Sequence, residues 1–104
     1  MSRAYTKEEA REFLLEQIRD IADYWSKAEN SSVKDKCDWV AFSILNIFDG
    51  CSGGFGCAID LSLSPHPDDK QYLIDEDENY FESGMVINDD CMLHELYFKE
   101  KTRN

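Results

Sequence analysis

The chain has 104 residues, a formal charge of −11 and an apolar content of 42%. This length leaves room for one domain, 1–104, and the apolar content is too high for wholesale disorder. The chain has twenty-two acidic residues and eleven basic ones. This excess of negative charge excludes direct binding to a nucleic-acid backbone or to an anionic membrane surface, because both need a basic stripe.

The sequence also indicates the compartment. It contains no run of ~20 apolar residues of the kind that spans a membrane, and its first residues carry no apolar leader. We therefore expect a cytoplasmic protein whose four cysteines are reduced. Their spacing contains no C-x-x-C pair, which argues against a zinc ribbon or a redox site.

A first helix is predicted to begin after Thr6. Thr6 and Glu9 have the spacing of a capping box, in which each side chain bonds the other residue's backbone N–H. Apolar residues then recur at helical spacing, at Leu14, Ile18, Ile21 and Trp25. Polar turn formers at 29–31 are expected to end the helix.

A second helix is predicted to follow directly, with Ser32 and Asp35 as its capping pair. Its apolar positions follow the helical pattern at Cys37, Val40, Ala41, Ile44, Leu45 and Phe48. Gly50 is expected to end it, because glycine enters the left-handed region at low cost. The glycine-rich residues 50–58 are predicted to form a flexible turn. The short link makes the two helices antiparallel neighbours. Cys37 is expected to be a small core residue, and so are Cys57 and Cys91 further along the chain.

The remaining elements are predicted to include a small sheet. Apolar and polar residues alternate over 55–63, which is typical of a strand covered on one face. Residues 85–87 are a second candidate strand, and 93–99 form either a short closing helix or a last strand. The predicted fold class is therefore α+β, with two antiparallel amphipathic helices packed on a small sheet.

The segment 66–90 carries nine acidic residues and one base. Asp75, Asp77 and Asn79 match the first ligand positions of an EF-hand loop, but Tyr80 stands where glycine is required and Val86 where a bidentate Glu is required. The segment is therefore interpreted as a solvated acidic loop, and no cofactor is expected.

Two histidines next to carboxylates leave an enzymatic alternative open. His66 precedes Asp68 by two residues, and His94 directly precedes Glu95. Two histidines and a carboxylate can hold a metal ion that activates water, so a divalent-metal-dependent hydrolase is one alternative. The spacings match no H-E-x-x-H signature, and no catalytic residue is assigned.

We expect instead a non-enzymatic accessory or interaction module that binds another protein, one with a basic surface. Aromatic side chains among acids are suited to this role as interface anchors, and the predicted interaction residues are Tyr72, Asp75, Glu76, Asp77, Tyr80 and Phe81. The same aromatics would otherwise pin the loop onto the core. A further alternative is an inhibitor that mimics nucleic acid and occupies the basic groove of a host enzyme.

Four blocks of sequence occur in an order that resembles a family of short, uncharacterised acidic proteins of bacterial and prophage-like genomes. The blocks are FSILNIFDG at 42–50, PHPDDK at 65–70, ENYF at 78–81 and LHELYFK at 93–99. The resemblance covers roughly residues 8–100. It implies a bacterial or phage accessory protein, and it implies no activity, cofactor or site residue.

Overall fold

The computed structural model describes residues 2–51 and 55–101, with side chains to residue 99. This part of the chain contains four helices. They are α1 (Lys7–Ser26), α2 (Val33–Asp49), α3 (Asp69–Asp75) and α4 (Leu93–Lys101). The predicted glycine turn at 50–58 falls partly outside the described residues.

The first helix begins where its capping box predicts. Thr6 Oγ1 accepts from the Glu9 backbone N–H at 3.1 Å, and the Thr6 N–H donates to Glu9 Oε1 at 2.9 Å. The helix ends at Ser26, slightly before the predicted stop. Arg3 also pairs with Glu9, and these bonds lower the pKa of Glu9 to about 2, with Arg3 as the largest cause.

The second helix also has its predicted ends. Ser32 Oγ accepts from the Asp35 N–H at 3.0 Å, and Gly50 has a left-handed φ of 77°. A Cβ at Gly50 would stand 3.0–3.1 Å from Ala58. Glycine is therefore required here both by the backbone angle and by the close approach of the chain.

α1 and α2 pack as antiparallel neighbours. The end of α1 meets the start of α2, where the Trp25 and Trp39 rings stack with centroids 5.7 Å apart. Trp25 Nε1 donates to Ser43 Oγ at 3.1 Å, and Gln17, nearer the start of α1, lines one cavity together with Asn46 near the end of α2.

The predicted α+β fold is wrong, because the described residues form helices and no sheet. Residues 55–63 and 85–87 do not become strands of a ladder. Their pairing is limited to one antiparallel bridge, between Ser62 and Val86. The helices therefore have no sheet to pack on, and α2 packs instead against α1 and α4.

The predicted strand is divided because its two halves bond to different partners. The Ile59 N–H donates to the Phe48 carbonyl at 2.9 Å, which satisfies a carbonyl left free at the end of α2. Leu63 instead exchanges backbone bonds with Met85 and Gly84. Two short segments without a third partner do not make a stable sheet.

The chain divides into two compact units. One comprises the described parts of 1–59 and 92–104 and holds α1, α2 and α4; we call it the helical unit. The other is Asp60–Cys91, which holds α3 and which we call the acidic unit. In the acidic unit, the buried Asn88 side chain accepts from the Leu61 N–H at 2.8 Å. That bond joins the same two segments that the bridge between Ser62 and Val86 pairs. The single domain predicted from length stays a prediction.

The apolar core is smaller than the helical patterns predict. Ile47 is the one fully buried apolar side chain among the residues described. Cys37 and Cys57, predicted to be core residues, are exposed, and Cys91 is half-buried. Thirteen large apolar side chains within 2–51 and 55–99 are exposed, so burial within this part of the chain accounts for only part of its apolar surface. No helix within 2–51 or 55–101 has the length and apolarity to cross a membrane.

Candidate functional site

The predicted interaction residues lie together in the acidic unit, on α3 and the turn that follows it. Tyr72 and Asp75 belong to α3, Glu76 caps its end, and Asp77 has a left-handed φ of 57°. Aspartate tolerates this conformation better than most residues. The chain reverses here and donates the Glu78 N–H to the Leu73 carbonyl at 2.8 Å. This bond closes the turn and presents its carboxylates to solvent.

Two of the three predicted aromatic anchors are open to solvent. The exposed fraction is 64% for Tyr72 and 69% for Phe81. Tyr80 is 39% exposed, and Lys70 Nζ lies 5.2 Å from its ring centroid in a cation–π contact. Tyr72 and Phe81 are therefore not buried in a core, as the alternative interpretation of these aromatics would require.

Lys70 is the one basic residue of the acidic unit, and its charge is used within the unit. Lys70 Nζ lies 2.9 Å from Glu82 Oε1. This hydrogen bond is the main reason that the pKa of Lys70 is raised. The unit contains ten acidic residues and a formal charge of −9, most of the −11 of the whole chain. Beyond this one pair, its carboxylates have no lysine or arginine of their own unit to neutralise them.

A small cavity of about 260 Å³ adjoins Phe81 in the same unit. Its walls include Pro65, His66 and Pro67, together with Lys70. His66 is held by a local bond, in which its Nδ1 accepts from the Asp68 backbone N–H at 3.2 Å. The two prolines restrict the backbone angles of this wall, and the exposed Phe81 ring gives the cavity an aromatic edge.

The predicted metal ligands are not assembled into a metal site by the described residues. His66 and Asp68 lie near each other, with 3.9 Å between His66 Nδ1 and Asp68 Oδ2. His94 and Glu95 belong to the other unit, where His94 bonds to Asp49. In the described part of the chain, no group of three or more His, Cys, Asp and Glu side chains has an arrangement that holds a metal ion.

The contact between Asp49 and His94 has no signal in the local sequence, because 45 positions separate the two residues. The Asp49 side chain is fully buried, and its carboxylate accepts from the N–H groups of Leu93 and His94 at 2.9 and 2.8 Å. His94 Nδ1 lies 2.5 Å from Asp49 Oδ2. An ionised carboxylate only accepts hydrogen bonds, so we assign the ring proton to Nδ1.

These bonds decide the ionisation of Asp49. Burial by itself raises the pKa of this carboxyl, but the bonds from His94 and Leu93 outweigh it and hold the pKa below its ordinary value. Asp49 is the last residue of α2, where the helix dipole disfavours a negative charge, and it faces the first turn of α4, where the dipole favours one. The carboxylate thus caps a helix that begins 44 residues later.

A second carboxylate of α2 also bonds to α4, and it lies three turns before Asp49 on α2. Asp38 is buried and accepts from Lys34 Nζ at 2.7 and 2.8 Å and from the Tyr97 hydroxyl at 2.9 Å. The bond to Asp38 is the first cause of the raised pKa of Tyr97, because it holds the phenolic proton. Asp49 therefore attaches the first turn of α4 to α2 and Asp38 attaches its middle, a structural role for both residues.

No known protein family matches the chain, and no curated protein or solved structure is similar to it. The resemblance to a bacterial and prophage family therefore stays a prediction.

Proposed function

We propose that this chain is a protein-interaction module that binds a partner with a basic surface through its acidic unit. The observation that carries the proposal is the combination of a charge of −9 within Asp60–Cys91 with the open side chains of Tyr72 and Phe81. Charge on this scale steers a basic partner and raises its association rate. Exposed aromatics supply the apolar contact that holds the complex after encounter.

Further exposed apolar side chains support the same surface. Ile74, Met85 and Ile87 of the acidic unit are each more than 40% exposed. A large apolar surface that stays in water is typical of a site that a partner covers. The acidic unit therefore offers both the charge that attracts a partner and the apolar area that binds it.

The first experiment is affinity capture from a lysate of the source organism, over a series of salt concentrations. We expect a basic protein that is retained at low salt and released as salt rises, because salt screens exposed charges. The charge variant replaces Asp75, Glu76 and Asp77 by their amides. Its matched control replaces Glu8, Glu16 and Glu29 of the helical unit by glutamine, which removes the same charge elsewhere.

The kinetics with the purified partner then separate the two contributions. The charge variant should lower the association rate, whereas a second variant with Tyr72→Ser and Phe81→Ser should raise the dissociation rate. The control should leave both rates nearly unchanged. If no partner is retained at low salt, or if the control weakens binding as much as the charge variant, the proposal is wrong.

The concentration of charge in one unit also supports the nucleic-acid mimic as a second candidate. Carboxylates gathered in 60–91 can occupy a groove that otherwise holds phosphates. In that case the captured partner is a nucleic-acid-binding protein, and duplex DNA or RNA competes with the chain for it. A captured partner that binds both at once would exclude mimicry and leave the broader proposal standing.

A further inference from the structure

Two adjoining cavities lie along α1 in the helical unit, and Asp20 and Tyr24 line both of them. The first, of about 550 Å³, lies between α1 and α2 and is lined also by Trp25 and Asn46. The second, of about 600 Å³, extends toward Asp23 and Lys27. We call the two together the α1 groove. Its size is within the range of pockets that hold small molecules.

The α1 groove offers hydrogen-bond acceptors and aromatic rings. Asp20 is exposed, and its carboxylate has no hydrogen-bond or ion-pair partner among residues 2–51 and 55–99. Asp23, by contrast, is paired with Lys27 at 3.1 Å, so that lysine is already neutralised. The Tyr24 and Trp25 rings meet edge to face with centroids 5.0 Å apart.

The donor on the Trp25 indole is already used. Its Nε1–H donates to Ser43 Oγ, and one of its faces stacks on the Trp39 ring. The indole therefore offers the groove part of its ring and no spare hydrogen-bond donor. Asn46 adds a side-chain amide on the α2 side, which has a carbonyl oxygen that can accept a hydrogen bond. A ligand with several N–H donors and a positive charge matches such a wall, whereas an anion would meet the charge of Asp20.

We propose that the α1 groove binds an alkylammonium or alkylguanidinium ion. Asp20 accepts the charged N–H groups, and the Tyr24 and Trp25 rings contact the cation and its alkyl chain. Cations are attracted to the faces of aromatic rings, and the attraction grows as water is excluded. The chemistry is shared by free amines and by lysine or arginine side chains of a protein, and the test separates these two sources.

The test is calorimetric titration of the whole chain at low salt with three probes. N-butylguanidinium represents a free alkylguanidinium, an acetylated Gly-Arg-Gly amide of the same charge represents a protein side chain, and N-butylurea is the uncharged analogue of butylguanidinium. We expect saturable binding of at least one cationic probe with a stoichiometry of one, and no binding of the urea. Preference for butylguanidinium indicates a small-molecule ligand, and preference for the peptide indicates a protein ligand.

Matched variants locate the site. Asp20→Asn should weaken binding by about fivefold, whereas Glu29→Gln removes the same charge outside the groove and should leave binding unchanged. Tyr24→Leu should weaken it by about threefold, while Tyr24→Phe, which keeps the aromatic face, should not. In NMR spectra, the Trp25 indole N–H signal should shift with saturation.

Several outcomes would overturn the inference. They are the failure of both cationic probes to bind, equal loss of affinity in Glu29→Gln and Asp20→Asn, and NMR shifts confined to residues 60–91. The last two would mean that negative charge outside the α1 groove accounts for the binding of the probes. None of these results contradicts the acidic unit as a protein-binding surface, so failure here is distinguishable from failure of the proposed function.

Discussion

Replacing Asp49 with alanine removes the acceptor that holds the first turn of α4. The N–H groups of Leu93 and His94 then lose their bonds of 2.9 and 2.8 Å, and the His94 ring loses its bond to the same carboxylate. Met92, which precedes α4, has no side-chain oxygen that would replace them. We expect α4 to fray from its N-terminus and its contact with α2 to weaken.

The magnitude follows from the bonds that are lost. Loss of a helix cap costs about 1 kcal/mol, and each hydrogen bond to a buried charge is worth about 1.5–3 kcal/mol. Relief of the unfavourable charge at the end of α2 returns about 0.3–1 kcal/mol. Since these contributions overlap, we expect Asp49→Ala to lower the free energy of unfolding by about 2–3 kcal/mol, a large part of the stability of a small protein. Asp49→Asn keeps one acceptor and should cost about half as much.

The assay is urea unfolding followed by circular dichroism, together with hydrogen exchange at the backbone amides of Leu93 and His94. Asp90→Ala is the control, because it removes an exposed carboxylate and should change stability by less than about 0.5 kcal/mol. If Asp49→Ala is as stable as that control, or if exchange at the two amides does not accelerate, the capping role assigned to Asp49 is refuted.

Three further predictions concern the helical unit. Tyr97→Phe should destabilise the chain by about 1 kcal/mol in urea unfolding, because buried Asp38 loses one donor while its lysine pair remains; an unchanged unfolding midpoint would contradict this. Gly56→Ala should lower the free energy of unfolding by about 1 kcal/mol, because Gly56 has a positive φ, and Gly50→Ala should lower it by about 1 kcal/mol more. The difference arises because only Gly50 also has backbone within 3.0–3.1 Å of the added Cβ. Equal melting temperatures of the two variants would contradict the steric argument. The stabilisation from Asp49 should be present above its ordinary pKa of 3.8 and be lost as pH falls through the lower pKa of the folded state. The difference in melting temperature between wild type and Asp49→Asn should therefore narrow in acid, and a difference that stays constant as pH falls below 3.8 would refute the assignment.

The start of α1 and both ends of α2 follow from local sequence because their determinants are local. A capping box joins residues three apart, at Thr6 and Glu9, and a second cap joins Ser32 and Asp35. Gly50 is required by a backbone angle at a single position. Contacts of such short range form within the segment itself, and the structure confirms each of them.

The alternation over 55–63 predicted a strand, and this was wrong for a reason of longer range. An alternating pattern indicates which side chains share a face, but a strand exists only where another segment completes its hydrogen bonds. Here Ile59 bonds to the end of α2, and pairing with 84–87 ends after a single bridge. The predicted interaction residues could be placed from sequence because charge and aromatic content are properties of composition. Their binding role stays a proposal.

Sequence by itself determined two capped helices and a strongly acidic segment, because each depends on neighbouring residues or on simple counts. Only the tertiary structure decided that Asp49 meets His94 across 45 positions of the chain and that Asp20 lines two cavities. Such contacts depend on how separate helices pack, and packing is selected by the combined burial of many side chains. A buried carboxylate and an exposed one are the same letter in the sequence, and their surroundings make one a structural cap and the other a candidate for binding a cation.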